Sequence, residues 1–280
     1  MARTGVVLYH HNGSKKVIEA VRAVLKSMDA DDHIYLVDDA STDDSVERII
    51  EAFAEVEPMT LIQNEQYFGP AAGRNIGLYE AQTSGCEYYF CLDSSVCIAP
   101  DCLNRLVGVL QSDEELGIVA PQLGSGCGYL IDWKRFQMAS VLLTDSQMTG
   151  DAVYVDAVSG NAMMISAALV ETIGGFPEEY EHAWYDMELC IRATMHGKQV
   201  AVYPPAKAVM EETVLPDQYV DWCNWLSFFF AHTPNGMLDD FANAIRKWLD
   251  SLSGEQQELA HSAYKKVFET QKNKSEGEGD

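Results

Sequence analysis

Apolar residues along this chain come in two alternating rhythms. Compact runs at 5–9, 33–37, 59–63, 88–92 and 117–121 have the length and the β-branched or aromatic content of buried strands. Between them the apolar positions recur every three or four residues. Val17, Ile18, Val21, Val24 and Leu25 mark one helix face, and Val46, Ile49, Ile50 and Phe53 a second. Ala71, Ala72, Ile76 and Leu78 mark a third helix over 69–82, closed by Gly85, and Pro100 opens a fourth over 100–110. Ser41, Thr42 and Asp43 are natural N-caps for the second helix. Strand and helix in regular alternation predict an α/β fold with a mostly parallel, right-handed, doubly wound sheet flanked by helices.

Beyond Pro121 the rhythm breaks. A Gly-Ser-Gly-Cys-Gly turn leads into 129–158, which carries strand-like pieces without a helix and reads as an insertion at the sheet edge. Regular structure resumes with a strand at 162–165, a helix at 167–173, the Gly174-Gly175 turn, a helix at 185–196 and a strand at 199–203. The pattern divides the chain into an α/β domain over 1–213, a helical region over 214–270 and a disordered tail over 271–280, where the polar stretch NKSEGEGD offers nothing to bury.

Composition narrows the partners. At 280 residues and 47% hydrophobic the chain can bury a full core. Its formal charge of −24, from 43 acidic against 19 basic residues, argues against nucleic acid or an anionic membrane as the main partner. A negatively charged substrate therefore needs a local basic patch. Seven cysteines, none in a Cys-x-x-Cys pair, predict buried reduced thiols and no structural zinc. No run of about 18 apolar residues occurs, so a soluble, cytoplasmic protein without a transmembrane segment is expected. The aromatic string DWCNWLSFFF reads as a helix packing on the sheet in preference to a membrane- or glycan-binding face, and it contains no basic residue for anionic lipid.

Candidate chemistry collects at the predicted strand ends. Asn12, Asp39, Arg74 with Asn75, and Asp93 all fall on the carboxyl side of successive strands or in the loops that follow, where open α/β sheets bind ligands. A nucleotide is the ligand they would share. Further on, Asp186 and Glu188 stand near the start of a helix, with Arg192 four residues beyond Glu188 as a structural i,i+4 partner.

Taken together, the motifs resemble those of the family 2 glycosyltransferases, the large inverting GT-A group, from about Val6 to Met210. Asn12 follows the first strand, and Val37 to Asp43 form the VDD-x-S-T-D string. Asn64, Gly69, Arg74, Asn75 and Gly77 match N-x-x-x-x-G-x-x-x-x-R-N-x-G, and Asp93 closes a Leu-Asp strand end. Ser159, Gly160, Gly174 to Phe176, Asp186, Glu188, Cys190, Arg192, Gly197 and Pro204 carry the later signature. The resemblance implies a Rossmann-like GT-A fold with a C-terminal helical extension. It also implies transfer of a sugar from a UDP- or dTDP-linked donor to a glycan, lipid-linked or protein acceptor.

In that frame Asp39 accepts the imide N–H of uracil or thymine, unless it only caps a helix. Asn12 seats the base or ribose, or simply forms a turn. Arg74, Asn75, Asp93 and Ser95 face the donor, unless Arg74 is only a solvated helix arginine, and Asp186 is the general base that takes the acceptor proton, unless it only meets the helix dipole. Two departures stand out. The second acid of the family's D-x-D is Ser95 here, and Met210 stands where a metal-binding His is often found, six residues after Pro204. Asp93, with Glu211 if the register is counted from Pro205, is what remains for Mg2+ or Mn2+, so metal dependence is expected to be weak or absent. Arg74, with Lys134 and Arg135 of the insertion, would then balance the leaving diphosphate. Tyr185 occupies a position where the family commonly has Glu. An inactive GT-A-like protein that binds a sugar nucleotide or serves in an assembly is the second reading.

Overall fold

A computed structural model of the chain describes residues 3–124, 126–142, 144, 150–180, 182–210 and 217–277. In chain order the elements are β1 (Thr4–His10), α1 (Ser14–Leu25), β2 (His33–Asp38), α2 (Ser45–Phe53), β3 (Met59–Gln63), α3 (Pro70–Thr83) and β4 (Tyr88–Asp93). Then come β5 (Val96–Ile98), α4 (Cys102–Ser112), β6 (Leu116–Leu123), β7 (Gly126–Asp132), β8 (Gln137–Leu142), β9 (Val153–Val155), β10 (Ala162–Ser166), α5 (Ala167–Ile173), α6 (Tyr185–Met195) and β11 (Gln199–Met210). The helices α7 (Gln218–His232), α8 (Leu238–Ser251) and α9 (Glu255–Gly277) complete it.

The chain divides into two compact units. The first comprises Met1–Leu130, Ser140–Glu179 and Tyr185–Thr213, and the second Ile131–Ala139, Tyr180–Trp184 and Val214–Asp280. Within the first, the sheet runs β3-β2-β1-β4-β10-β6-β11-β5. The run from β3 to β4 is parallel, so His10, Asp38, Gln63 and Asp93 end their strands along one edge. β10 enters antiparallel between β4 and β6, which brings the residues before Ala162 to that same edge.

Packing accounts for both faces of the parallel run. Val6, Leu8, Ile34, Leu36, Phe90 and Leu92 bury one face under Val17, Val21 and Val24 of α1, Ile49 and Phe53 of α2, and Leu103 and Leu106 of α4. On the other face α3 approaches β1 through glycines. A Cβ at Gly73 would lie 2.6 Å from Tyr9 Cε2, and one at Gly77 2.5 Å from Val7 Cγ1. Gly77 of the motif and Gly73 beside Arg74 thus have a steric reason.

The structure departs from the sequence pattern in several places. β5 is a three-residue strand with no period of its own, paired antiparallel with β11. β11 continues to Met210 instead of stopping at Tyr203, because a register irregularity between Tyr203 and Lys207 accommodates Pro204 and Pro205, whose missing N–H groups cannot join a regular ladder. α2 begins at Ser45 without a side-chain cap. Asp43 instead accepts hydrogen bonds from Ser45 N–H (3.1 Å) and Gly13 N–H (2.7 Å), tying two loops together. The helical backbone of α9 runs on to Gly277, past the expected start of a disordered tail at 271, through Gln, Lys and Glu residues that are good helix formers; residues 278–280 lie outside the described residues.

The second unit is built on aromatic packing. Phe228 and Phe229 of α7 are fully buried, and Trp133 and Phe136 meet Phe229 edge-on with centroids 5.7 and 5.8 Å away. Trp225 Nε1 donates to Phe136 O (2.8 Å), and Trp184 Nε1 to Asp221 Oδ1 (2.8 Å). Among the described residues no helix is long and apolar enough to cross a membrane.

Candidate active site

At the end of β4, Asp93 turns back on its own loop. Its Oδ1 accepts Ser95 N–H (2.9 Å) and Ser95 Oγ–H (2.7 Å). Its Oδ2 lies 3.6 Å from Arg74 Nη2. Arg74, from the first turns of α3, is wholly enclosed. Its guanidinium sits between the rings of Tyr9 (5.0 Å) and Tyr185 (5.4 Å), and Nη1 donates to Pro70 O (3.1 Å). Among the described residues neither its Nε nor its Nη2 has a hydrogen-bond partner.

Tyr185 carries the chain from Arg74 to Asp186. The half-buried Asp186 carboxylate accepts Gly160 N–H at Oδ2 (2.7 Å) and Met187 N–H at Oδ1 (3.0 Å). Burial raises its pKa above the ordinary carboxylate value, and the bonds from Gly160 and Met187 and the Arg74 charge oppose the rise without cancelling it. Gly160 permits a close approach here, since a Cβ would stand 3.0 Å from both Asp186 Cβ and Tyr185 Cε2 and those side chains would have to give by a few tenths of an ångström. The next residue closes the circuit: Asn161 O accepts from Asp93 N–H (2.9 Å). Two consecutive residues ahead of β10 therefore hold the two acids in fixed relation.

Asp39 does something other than expected. It is fully buried, and its carboxylate accepts from Tyr9 Oη–H (3.0 Å), Asn64 Nδ2 (2.8 Å), Phe68 N–H (3.1 Å) and Gly69 N–H (2.9 Å). Those four bonds fill its acceptor sites, leaving no free one for a base imide. Asp39 instead fixes the loop between β3 and α3, from which Tyr67 and Phe68 emerge about half exposed, Tyr67 edge-on to His11 with centroids 4.7 Å apart. Asn12 has a left-handed backbone (φ 59°). Its Oδ1 accepts from Thr42 N–H (2.8 Å) and its N–H donates to Ser41 Oγ (2.8 Å), joining the loops after β1 and β2.

Asn75 is tied to a distant turn. Its amide bridges the backbone of Phe176, donating to the carbonyl and accepting from the N–H at 2.8 Å each, and donates also to Glu178 Oε1 (2.8 Å). Its place in the motif comes from holding the Gly-Gly-Phe turn. Glu188 and Arg192 form the expected pair at 3.1 Å. Lys134 and Arg135 belong to the second unit, where the exposed Arg135 pairs with Asp132 at 3.7 Å. Glu211 lies outside the described residues. Two participants, Tyr9 and His10, carry no signal in the pattern, and Tyr185 is marked only as a departure from the family's usual Glu. Tyr9 and Tyr185 form the walls around Arg74. His10, fully buried at the end of β1, holds Nδ1 3.1 Å from Ser94 Oγ, and burial lowers its pKa. Tyr9 closes what reads as an ordinary strand over 5–9, and His10 opens the polar loop expected after it, although β1 continues through His10.

A divalent cation does not fit this donor set. Asp93 Oδ1 is occupied by Ser95 and Oδ2 faces a permanent cation, while Met210 offers a thioether to which Asn161 Nδ2 already points (3.4 Å). Among the described residues no group of three His, Cys, Asp or Glu side chains is placed to hold a metal.

With this geometry in hand, the family is plain: the glycosyl transferase family 2 model matches residues 6–172, more than half the chain, and the chain belongs to that family. No curated protein sequence matches it. Similar solved structures share the GT-A fold. GalNAc-T7 with UDP, GalNAc and Mn2+ superposes with a TM-score of 0.72 at 16% identity, over 94% of this chain and 54% of that one. The chain thus spans about half the length of GalNAc-T7. The mannosyltransferase PcManGT from Pyrobaculum calidifontis, with GDP-Man and Mn2+, gives 0.58 at 17% identity over 95% of this chain and 80% of that one. S. aureus TarS 1-349 with UDP gives 0.57 at 18% identity, over 95% and 88%.

Proposed function

We propose that this protein transfers a sugar from a UDP- or dTDP-linked donor to a hydroxyl of a glycan, lipid-linked or protein acceptor, with inversion at the anomeric carbon. The observation that carries the proposal is the rigid link between Asp93 and Asp186 through Asn161 and Gly160. One acid ends β4 at the carboxyl edge of the parallel strands and the other stands at the start of α6. Ionised Asp186 takes the proton from the acceptor hydroxyl as its oxygen attacks the anomeric carbon, and the bond to the diphosphate breaks on the opposite face. A carboxylate with a raised pKa suits this work, since its basicity moves towards neutral pH. Asp39 and Asn12 act at one remove, by holding the loops that border the base site. The nucleotides named with the three similar structures, UDP and GDP-Man, support a nucleoside diphosphate donor.

The self-paired Asp93 keeps a second reading in view, a non-catalytic binder of sugar nucleotides. One experiment bears on both. In a thermal-shift panel of nucleoside diphosphates, UDP or dTDP at 100 times its Kd should add about 2.7 kcal/mol of stability. A panel in which none raises the melting temperature refutes both readings. Binding without turnover of any UDP- or dTDP-sugar, with glycan, lipid and peptide acceptors offered, leaves the second.

A further inference from the structure

We propose that Asp93 carries its own counter-ion, the buried Arg74 guanidinium, and that the donor nucleotide is bound here without a divalent cation. The inference rests on the sugar-nucleotide reading and adds how that site is electrically balanced. A metal recruited to a strand-end carboxylate needs an oxygen with free lone pairs and a net negative field. Asp93 keeps free lone pairs only on Oδ2, and there the field is set by a fixed positive charge. Ser95 donates to Oδ1 twice, from N–H and from Oγ–H, and Oδ2 faces Arg74 Nη2 at 3.6 Å.

Arg74 cannot be neutralised by losing a proton at any accessible pH. Its location is fixed by Tyr9 and Tyr185, whose rings lie 5.0 and 5.4 Å from its central carbon, and by the bond from Nη1 to Pro70 O. Nε and Nη2 have no hydrogen-bond partner among the described residues, so Asp93 is the only carboxylate in ion-pair range of this charge there. A cation drawn to Asp93 would meet that fixed positive charge. Ser95 completes the balance: a serine where a second acid would stand removes the negative charge a metal would otherwise offset. The pair Asp93–Arg74 is formally neutral, and a diphosphate can approach it without a metal to cancel two carboxylates. Arg74 acts through Asp93 and is a positioning residue, since it is enclosed and cannot itself reach the donor.

The test is calorimetric titration of UDP into the whole protein, once in EDTA and once in Mn2+. Wild type should bind with the same affinity in both. Ser95→Asp restores a second, uncompensated carboxylate and should make Mn2+ tighten UDP binding by about tenfold or more, which is about 1.4 kcal/mol. Arg74→Met should gain a Mn2+ response in the same direction, whereas Arg74→Lys, which keeps the charge, should not. Should Arg74→Met fail to fold, Ser95→Asp still decides, because Ser95 lies in a loop and among the described residues its hydroxyl bonds only Asp93 Oδ1. Loss of wild-type binding in EDTA overturns the inference while leaving the sugar-nucleotide reading intact, as does a Ser95→Asp variant indifferent to Mn2+. Absence of UDP binding by wild type under both conditions overturns the reading itself and the inference with it.

Discussion

Replacing Asp186 by Asn tests the chemistry and the local structure at once. The carboxylate accepts two backbone N–H groups on its two oxygens, Gly160 at 2.7 Å and Met187 at 3.0 Å. An amide has one oxygen, so one of those donors must face an NH2 group and lose its acceptor, at a cost of about 1–3 kcal/mol. Against this, the variant no longer holds a desolvated charge. The sign follows from the raised pKa of Asp186. Protonation is favoured in the folded state, so its contribution to stability is fully present below the unfolded value of about 3.9 and is lost as pH rises through the higher folded value. Wild type should therefore lose ground to Asp186→Asn in urea titrations as pH is raised through that window. For transfer, losing the base costs about 10²–10⁴ in rate, and donor affinity should hardly change. The assay is release of nucleoside diphosphate from a labelled donor, with donor binding measured separately. In wild type the rate should rise with pH along an acid limb displaced above the ordinary carboxylate range. A variant that transfers at the wild-type rate, or an acid limb at the unshifted value, refutes the assignment.

Two further outcomes follow from the same contacts. Asp39→Ala strands the donors on Tyr9, Asn64, Phe68 and Gly69, and should cost about 3 kcal/mol or more by urea midpoint while weakening UDP binding through the loosened loop; an unchanged midpoint would show that the four bonds contribute nothing. Gly73→Ala places a methyl 2.6 Å from the Tyr9 ring and should cost about 1–3 kcal/mol, partly recovered by adding Tyr9→Leu, which removes the obstructing ring; a neutral Gly73→Ala contradicts the packing between α3 and β1.

Much of this molecule is written in its local pattern. The alternation of short apolar runs with helical periods places β1 to β4 and α1 to α4 nearly where they stand, because strand and helix bury their faces with different periods that survive in one dimension. The α5 helix, over Ala167–Ile173, was legible residue for residue. The pairing of Glu188 with Arg192 was also legible, since i,i+4 neighbours are set by helix geometry alone. The motif residues were found as a set, and their order along the chain was enough to suggest a family. What each one does was decided elsewhere. Asp39 reads as an open carboxylate at a strand end, yet the folded loop at 64–69 brings three backbone and side-chain donors onto it, and Tyr9 from the neighbouring strand supplies a fourth. Asn75 reads as a ligand contact but reaches across about a hundred residues of sequence to Phe176. Arg74 becomes the counter-ion of Asp93 only because α3 lies on β1 and α6 begins beside both, putting two tyrosines around a charge that no window of sequence shows to be enclosed. Period and propensity are properties of neighbours in the chain; hydrogen-bond saturation, burial and charge pairing are properties of neighbours in space, and at this site the two sets hardly overlap.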